Sequence, residues 1–323
     1  MLKTFRNWAE FVKLSHTIFA LPFALAAMAV AAREPSAACP ECDRGWPGWK
    51  TFALILAAMV CARTCAMAFN RIVDRKFDAL NPRTAQRHLP AGKISLAGAV
   101  ALWIASAVGL ATVSYFINPL CFYLSPVALI VVCFYSLTKR FTDYTHVFLG
   151  VALSLAPIGA WIAVKGFGMT ALDWAQAGTL AIGVVLWLTG FDIIYALQDY
   201  EFDRKHGLRS LVVAWGPQNA LRASFLAHMV MCGVLLLFGI FLCKFRVAFL
   251  IGWLLIVGCL ALEHLIARIR GLNWVQTSFF KLNAVVSVIF FVVVVGEVVF
   301  KGGPPLLRDQ LNRAPIEKTV VPP

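Results

Sequence analysis

Two rows of oxygen-bearing side chains stand out in a sequence otherwise poor in charge. The first is Asn70, Asp74 and Asp78, spaced by fours. Each step of four turns a helix by about 40°, so the three share one face. The second row is Asp192, Tyr195, Asp199 and Asp203, at steps of three, four and four. On a helix these lie within about 80° of one another, while Glu201 points elsewhere. Carboxylates crowded together without a counter-charge repel and partly protonate. A divalent cation relieves that. Oxygen-only ligands, with no His or Cys at ligand spacing, select Mg²⁺ or a similar hard ion over zinc. Mg²⁺ takes one or two carboxylates and completes its shell with water and substrate phosphates. The implied substrate is therefore a phosphate or pyrophosphate ester. Arg83 and Arg87 follow the first row, and Lys139, Arg140, Arg204 and Lys205 lie in other loops on the same side, as donors to phosphate oxygens. The plainer reading makes these acids solvated helix ends paired with loop cations. Two in-phase rows on two helices of one orientation weigh against it.

The elements that must carry these rows are membrane helices. Of 323 residues 60% are hydrophobic and 14% charged, with a mean hydropathy of +0.78. Nine apolar stretches of spanning length follow one another, near 11–32, 51–71, 95–116, 119–138, 145–164, 175–198, 220–242, 246–266 and 279–300. A soluble enzyme, a disordered chain and a small disulfide-stapled domain are excluded. The expected fold is an all-α membrane bundle, one transmembrane domain over 1–301, with a disordered tail over 302–323. The first helix reads as uncleaved, since no small-residue cleavage site follows it cleanly. A net charge of +13 would suggest nucleic acid in a soluble protein, but here it reports topology first, and no nucleic-acid partner is expected. With the N-terminus inside, eighteen Lys and Arg fall in cytoplasmic connections and six in the opposite loops. That bias expects a multi-pass protein of a bacterial-type inner membrane, motif loops cytoplasmic and C-terminus outside. Six of the sixteen acids fall in the two motif regions, each at the expected cytoplasmic end of a helix. Charges in membrane segments default to function. The two regions also look like an internal repeat, Asp74 and Asp78 aligning with Asp199 and Asp203, four spans apart.

Asn70-Arg-Ile-Val-Asp74-Arg-Lys-Phe-Asp78, followed by Asn81-Pro-Arg-Thr84 and Leu89-Pro-Ala-Gly92, resembles the first motif of the UbiA superfamily of intramembrane prenyltransferases. Asp192-Ile-Ile-Tyr195-Ala-Leu-Gln-Asp199-Tyr-Glu-Phe-Asp203, running on to Gly207 and Ser210, resembles its second. The resemblance covers nearly the whole chain. It implies Mg²⁺-dependent transfer of a polyprenyl chain from its diphosphate to an aromatic acid, with 4-hydroxybenzoate of ubiquinone synthesis as the default acceptor. Leu14-Ser-His-Thr-Ile-Phe-Ala-Leu-Pro22 and Ile72-Val-Asp74 also resemble enzymes that prenylate a dihydroxynaphthoate for menaquinone. Carried over by position, Asn70, Asp74, Asp78, Asp192, Asp199 and Asp203 would hold Mg²⁺ and the diphosphate. Arg63, two turns before Asn70, and the Tyr135-x-x-x-Lys139 pair would stand near the reacting groups. Arg63, Asn70, Arg83, Arg87, Lys139, Arg140 and Tyr195 would bind substrates. Asp192 is the expected base or cation stabiliser. Arg63 would aim into the cavity that the aspartates border, or else pair with Asp192 or another acid.

Other classes fit less well. A phosphatidyl-alcohol transferase lacks its D-x-x-D-G-x-x-A-R signature here. A cation transporter places its acids near the midplane beside broken helices, whereas these sit at one face. Cys39-Pro-Glu-Cys42 is a lone C-x-x-C in an outward loop, which reads as a disulfide or as nothing rather than zinc. The other seven Cys read as small apolar residues. His16 is either cavity-facing or a packing residue. No obligate protein partner is evident.

Overall fold

In the computed structural model, residues 2–13, 17–269 and 280–301 are described. His16, Arg270 and the tail beyond Lys301 lie outside them. The described residues form helices with no strands beyond isolated bridges. In chain order these are α1 (Leu2–Phe11), α2 (Thr17–Ala31), α3 (Trp49–Leu80), α4 (Leu96–Ile117), α5 (Pro119–Phe134), α6 (Thr145–Lys165), α7 (Ala171–Ala196), α8 (Tyr200–Lys205), α9 (Leu211–Leu236), α10 (Val247–Ile269) and α11 (Phe280–Lys301). A 3₁₀ turn, Tyr135–Arg140, continues α5, and another, Leu197–Asp199, joins α7 to α8.

Among the described residues, eight helices are long and apolar enough to cross a membrane. The expected first span, 11–32, is divided. Lys13 adopts a left-handed φ of 52°, which ends α1. Beyond it, the described residues of α2 number 15, about 22 Å of helix. Helix α1 instead packs Phe11 and Val12 against Ala68, Ile94 and Ala99, beside the loop that follows α3.

Helix α3 has 32 residues and so reaches about 48 Å. A hydrocarbon core is about 30 Å thick. A helix of that length exceeds the apolar layer, and its polar last turns, which carry Asn70 to Asp78, are the part whose composition suits the outside. Helix ends are closed locally. Asn118 accepts a hydrogen bond from Cys121 N (2.9 Å) at the start of α5, and its Nδ2 donates to Ile162 O (2.9 Å) on α6. Pro126 removes the backbone donor that would reach Phe122 O, and Ser125 Oγ donates to that carbonyl instead (2.8 Å).

The core centres on α7, whose Trp187 is fully buried against Phe23 of α2, which stacks in turn on Phe290 of α11. Polar ties cross the same interior. Trp187 Nε1 donates to Asn283 Oδ1 (2.9 Å), Asn283 Nδ2 donates to Glu263 Oε2 (2.8 Å), and His228 pairs with His264 (2.9 Å). In an apolar medium such bonds fix which helix faces meet. The loop before α3 holds a Cys39–Cys42 disulfide.

The orientation of this bundle is open to a direct check. A reporter fused after Lys93 or Arg209 is expected to read cytoplasmic, and one fused near Cys42 exterior. The opposite pattern would put the motif loops on the outer face.

Candidate active site

Both rows open on one polar cavity of about 240 Å³. Asn70, Asp74, Asp78, Asp192, Tyr195, Asp199 and Asp203 all line it, as do Arg83, Arg87, Lys139 and Arg140. The second row reaches it by a route the helical wheel does not give. Helix α7 stops at Ala196, the chain tightens to a 3₁₀ turn, and α8 resumes, so Asp192, Asp199 and Asp203 stand on three successive elements. Glu201, Arg204 and Lys205 remain exposed, away from the cavity.

Each carboxylate has a specific partner. Arg83 forks onto Asp199, Nε to Oδ1 at 2.9 Å and a terminal nitrogen to Oδ2, and its other terminal nitrogen donates to Tyr195 Oη (2.8 Å). Asn81 Nδ2 adds a third donor to Asp199 (3.1 Å). Arg87 reaches Asp78 Oδ1 (2.6 Å), Lys139 reaches Asp203 Oδ2 (3.1 Å), and Arg140 reaches Asp74 Oδ1 (3.0 Å). Asn70 Nδ2 donates to Asp74 Oδ2 (2.8 Å). Asp192 Oδ2 meets His146 Nδ1 at 2.7 Å. The loop after α3 folds to deliver its two arginines: Asn81 Oδ1 accepts from Arg83 N (3.0 Å), and Thr84 Oγ1 donates to Asp78 O (3.0 Å). This gives Asn81-Pro-Arg-Thr84 a mechanical reason.

Electrostatics outside the spans agree. Burial works against the charge on Arg83, yet its bonds to Asp199 and the nearby Tyr195 outweigh it and hold the guanidinium above its ordinary pKa. Lys13 is pushed the other way, first by burial and then by Arg71 and Arg87. The α1 side of the site therefore carries excess positive charge, a field that favours an anion.

The donor set suits a hard cation. Asp78 Oδ2 is buried with no hydrogen-bond partner. Such an oxygen is costly unless something binds it. Among the described residues no three His, Cys, Asp or Glu side chains gather closely enough to hold a metal alone. Mg²⁺ typically uses one or two carboxylates and takes phosphate oxygens for the rest.

A second cavity, about 220 Å³, runs along α3 from Ile55 to Met67, roughly 18 Å by helical rise. Its wall is apolar and built from small residues, among them Ala58, Ala62, Ala66, Ala152, Ala156 and Gly159. Tyr135 lines both cavities and marks their junction. Arg63 stands on the apolar side of it, not among the aspartates. Its guanidinium donates to Lys13 O (3.1 Å), its Nε is buried without a partner, and it makes no ion pair with Asp192 or any other acid among the described residues. Sequence reasoning missed His146 and Asn81. Asn81 lay inside a quoted motif, whereas nothing in the spacing marks His146.

A model of the UbiA prenyltransferase family matches residues 19–285. The chain belongs to that family. Among its relatives, a 4-hydroxybenzoate octaprenyltransferase of Burkholderia lata is 33% identical over 224 residues, 68% of this chain and 74% of that protein. One from Vibrio parahaemolyticus is 30% identical over 178 residues, 55% of this chain and 61% of that protein. Among solved structures, a UbiA homologue from Aeropyrum pernix K1 superposes with a TM-score of 0.75 at 30% identity, covering 87% of this chain and 98% of that one. A UbiA homologue from Archaeoglobus fulgidus, bound to GPP and Mg²⁺, shares the fold with a TM-score of 0.66 at 20% identity, over 91% and 99%.

Removing one member of a buried ion pair strands the other. Asp199→Asn and Arg83→Gln are each expected to lower the melting temperature in detergent. The double variant is expected to lose less than the sum of the two. Additive losses would show that the pair is uncoupled.

Proposed function

We propose that this protein transfers a polyprenyl group from its diphosphate to the ring of an aromatic acid of the 4-hydroxybenzoate class. The observation that carries the reading is the junction at Tyr135, where an apolar channel at membrane depth meets a pocket of paired charges. A long hydrocarbon ending in a diphosphate has that polarity. The relatives named for 4-hydroxybenzoate prenylation and the homologue that binds GPP and Mg²⁺ support it.

The residues divide the work. Small side chains along α3 and α6 leave room for the prenyl tail and exclude water from it. Arg83, Arg87, Lys139 and Arg140 are long and line the polar cavity, so they can turn from a carboxylate to a phosphate oxygen. That turn would free Asp74, Asp78, Asp199 and Asp203, with Asn70, to hold Mg²⁺. Asp192, grouped with them by motif position, pairs with buried His146 instead of a mobile cation and is left for the proton. When bound, the ion would neutralise charge on the departing diphosphate. The C–O electrons leave with the diphosphate, and the allylic cation is kept from water by the apolar wall. Tyr135, which lines both cavities, would stand near that developing positive charge. Arg63, on the apolar side with an unused Nε, is the fork for the acceptor's carboxylate. A π pair of the ring forms the new C–C bond, and Asp192 takes the displaced ring proton.

Labelled octaprenyl diphosphate and 4-hydroxybenzoate should give a prenylated acid, with EDTA abolishing turnover and added Mg²⁺ restoring it. Full activity in chelator would sink the metal assignment, and no labelled product would sink the reaction. Ala156→Phe should block the channel, so that octaprenyl diphosphate is lost as a donor while geranyl diphosphate still reacts. Equal loss of both would mean that the tail lies elsewhere.

Arg63→Lys keeps the charge but loses the fork. KM for the aromatic acid should rise roughly tenfold, about 1.4 kcal/mol, with KM for the diphosphate little changed. The reverse order would reassign Arg63 to the diphosphate.

A further inference from the structure

Five aspartates line the polar cavity, and four of them pair with Arg or Lys. Asp192 pairs with a histidine. His146 sits in the first turn of α6, fully buried, and is not itself part of the cavity wall. Its Nδ1 lies 2.7 Å from Asp192 Oδ2, and its Nε2 is buried without a partner. Asp192 makes no other hydrogen bond among the described residues, and its side chain keeps 19% exposure on the cavity. Its Oδ1 is the oxygen left for a substrate.

The contrast with the other four pairs is mechanical. Their cations are long, partly exposed side chains on the cavity wall, able to exchange a carboxylate for a phosphate. His146 is short and enclosed, and so cannot follow an incoming anion. The helices that bear it are also fixed. A Cβ on Gly150, one turn along α6, would lie 2.7 Å from Val185 O of α7, so the two backbones meet there directly. At the start of α6, Thr145 Oγ1 and Thr138 Oγ1 share a hydrogen bond of 2.7 Å, tying His146 to the turn that carries Lys139. An ionised carboxylate can only accept, so the inference assigns the proton of the His146–Asp192 contact to Nδ1.

We infer that His146 is a positioning residue for Asp192: its Nδ1–H holds Oδ2 in the wall so that Oδ1 faces the cavity before and after the diphosphate binds. This rests on the prenyl-transfer reading. In that reaction the diphosphate takes the C–O pair, the ring supplies the pair of the new C–C bond, and the proton on the substituted ring carbon passes to Oδ1. The pair of that C–H bond returns to the ring. His146 touches neither substrate and acts only by keeping that oxygen turned inward. The device gives the reaction one carboxylate whose direction does not depend on whether metal or diphosphate has arrived.

The test compares variants in full-length protein purified in detergent. Asn places an amide N–H near the position of Nδ1, whereas Gln places it near Nε2. His146→Leu and His146→Gln are expected to lower kcat roughly 30-fold, with both KM values within about twofold of wild type, and His146→Asn to recover most of it. Added to Asp192→Asn, His146→Leu should cause no further loss, because it acts through that carboxylate. Asn no better than Gln, or losses that multiply in the double variant, would overturn the inference. The Asn and Gln pair decides the matter if the Leu variant fails to fold. Mg²⁺-dependent binding of octaprenyl diphosphate supplies an arm that needs no acceptor. It should be unchanged in His146→Asn and His146→Gln, and its loss would place His146 in the diphosphate site instead. Wild-type protein that makes no prenylated acid would refute the reaction itself, with the binding arm still deciding on His146.

Discussion

Carboxylates removed from water need compensation, and meeting that need organises this molecule. Asp78, Asp199 and Asp203 are each less than a tenth exposed. An isolated buried charge costs several kcal/mol, and the cost falls only when a counter-charge and hydrogen bonds complete it. The partners come from elements far apart in sequence: the loop after α3 supplies Arg83 and Arg87, and the turn after α5 supplies Lys139 and Arg140. Charge pairing therefore pulls α3, the 135–140 turn, and the 197–205 segment round one space. The same pairing keeps that space from collapsing, because each pair stands where a metal ion and phosphates could take over its two halves.

The apolar half obeys a different rule. Helices in lipid gain no hydrophobic advantage from touching one another, so their association rests on close packing and internal polar bonds. The α6–α7 contact at Gly150 and the Trp187–Asn283–Glu263 chain are of that kind. On the other side of α6, small residues leave a channel that the neighbouring helices do not fill. Tight packing behind and a gap in front allow a firm wall and a tail-sized groove to share one helix.

Much of this was legible in the residues. Helical phase was enough for the first aspartate row, and charge type pointed to the second row and four loop cations, since period and residue chemistry are local properties. Nearly all of the spans could be read from hydropathy alone. The break at Lys13 could not, because a left-handed φ at a single residue leaves no compositional mark. The 3₁₀ turn at Leu197–Asp199 was equally hidden, although it changes which element carries Asp199. His146 escaped because its meaning lies in a contact across two helices. Arg63 lines the apolar cavity that adjoins the aspartates' cavity and not the aspartates' own, since a helical wheel gives direction without saying which cavity opens there.

The length of α3 has a consequence for the membrane around the protein. Its final turns overshoot a hydrocarbon layer of ordinary thickness, so the polar cavity is held at a fixed height above the bilayer midplane. Lipid-borne diphosphates, by contrast, float with the headgroups. A thicker membrane raises the headgroup plane toward the aspartates or past them, and a thinner one lowers it along the channel. For the proposed diphosphate donor, acyl-chain length in the host lipid would set the vertical alignment with the site, at fractions of a kcal/mol per Å of mismatch. Turnover in reconstituted vesicles then becomes a gauge of bilayer thickness.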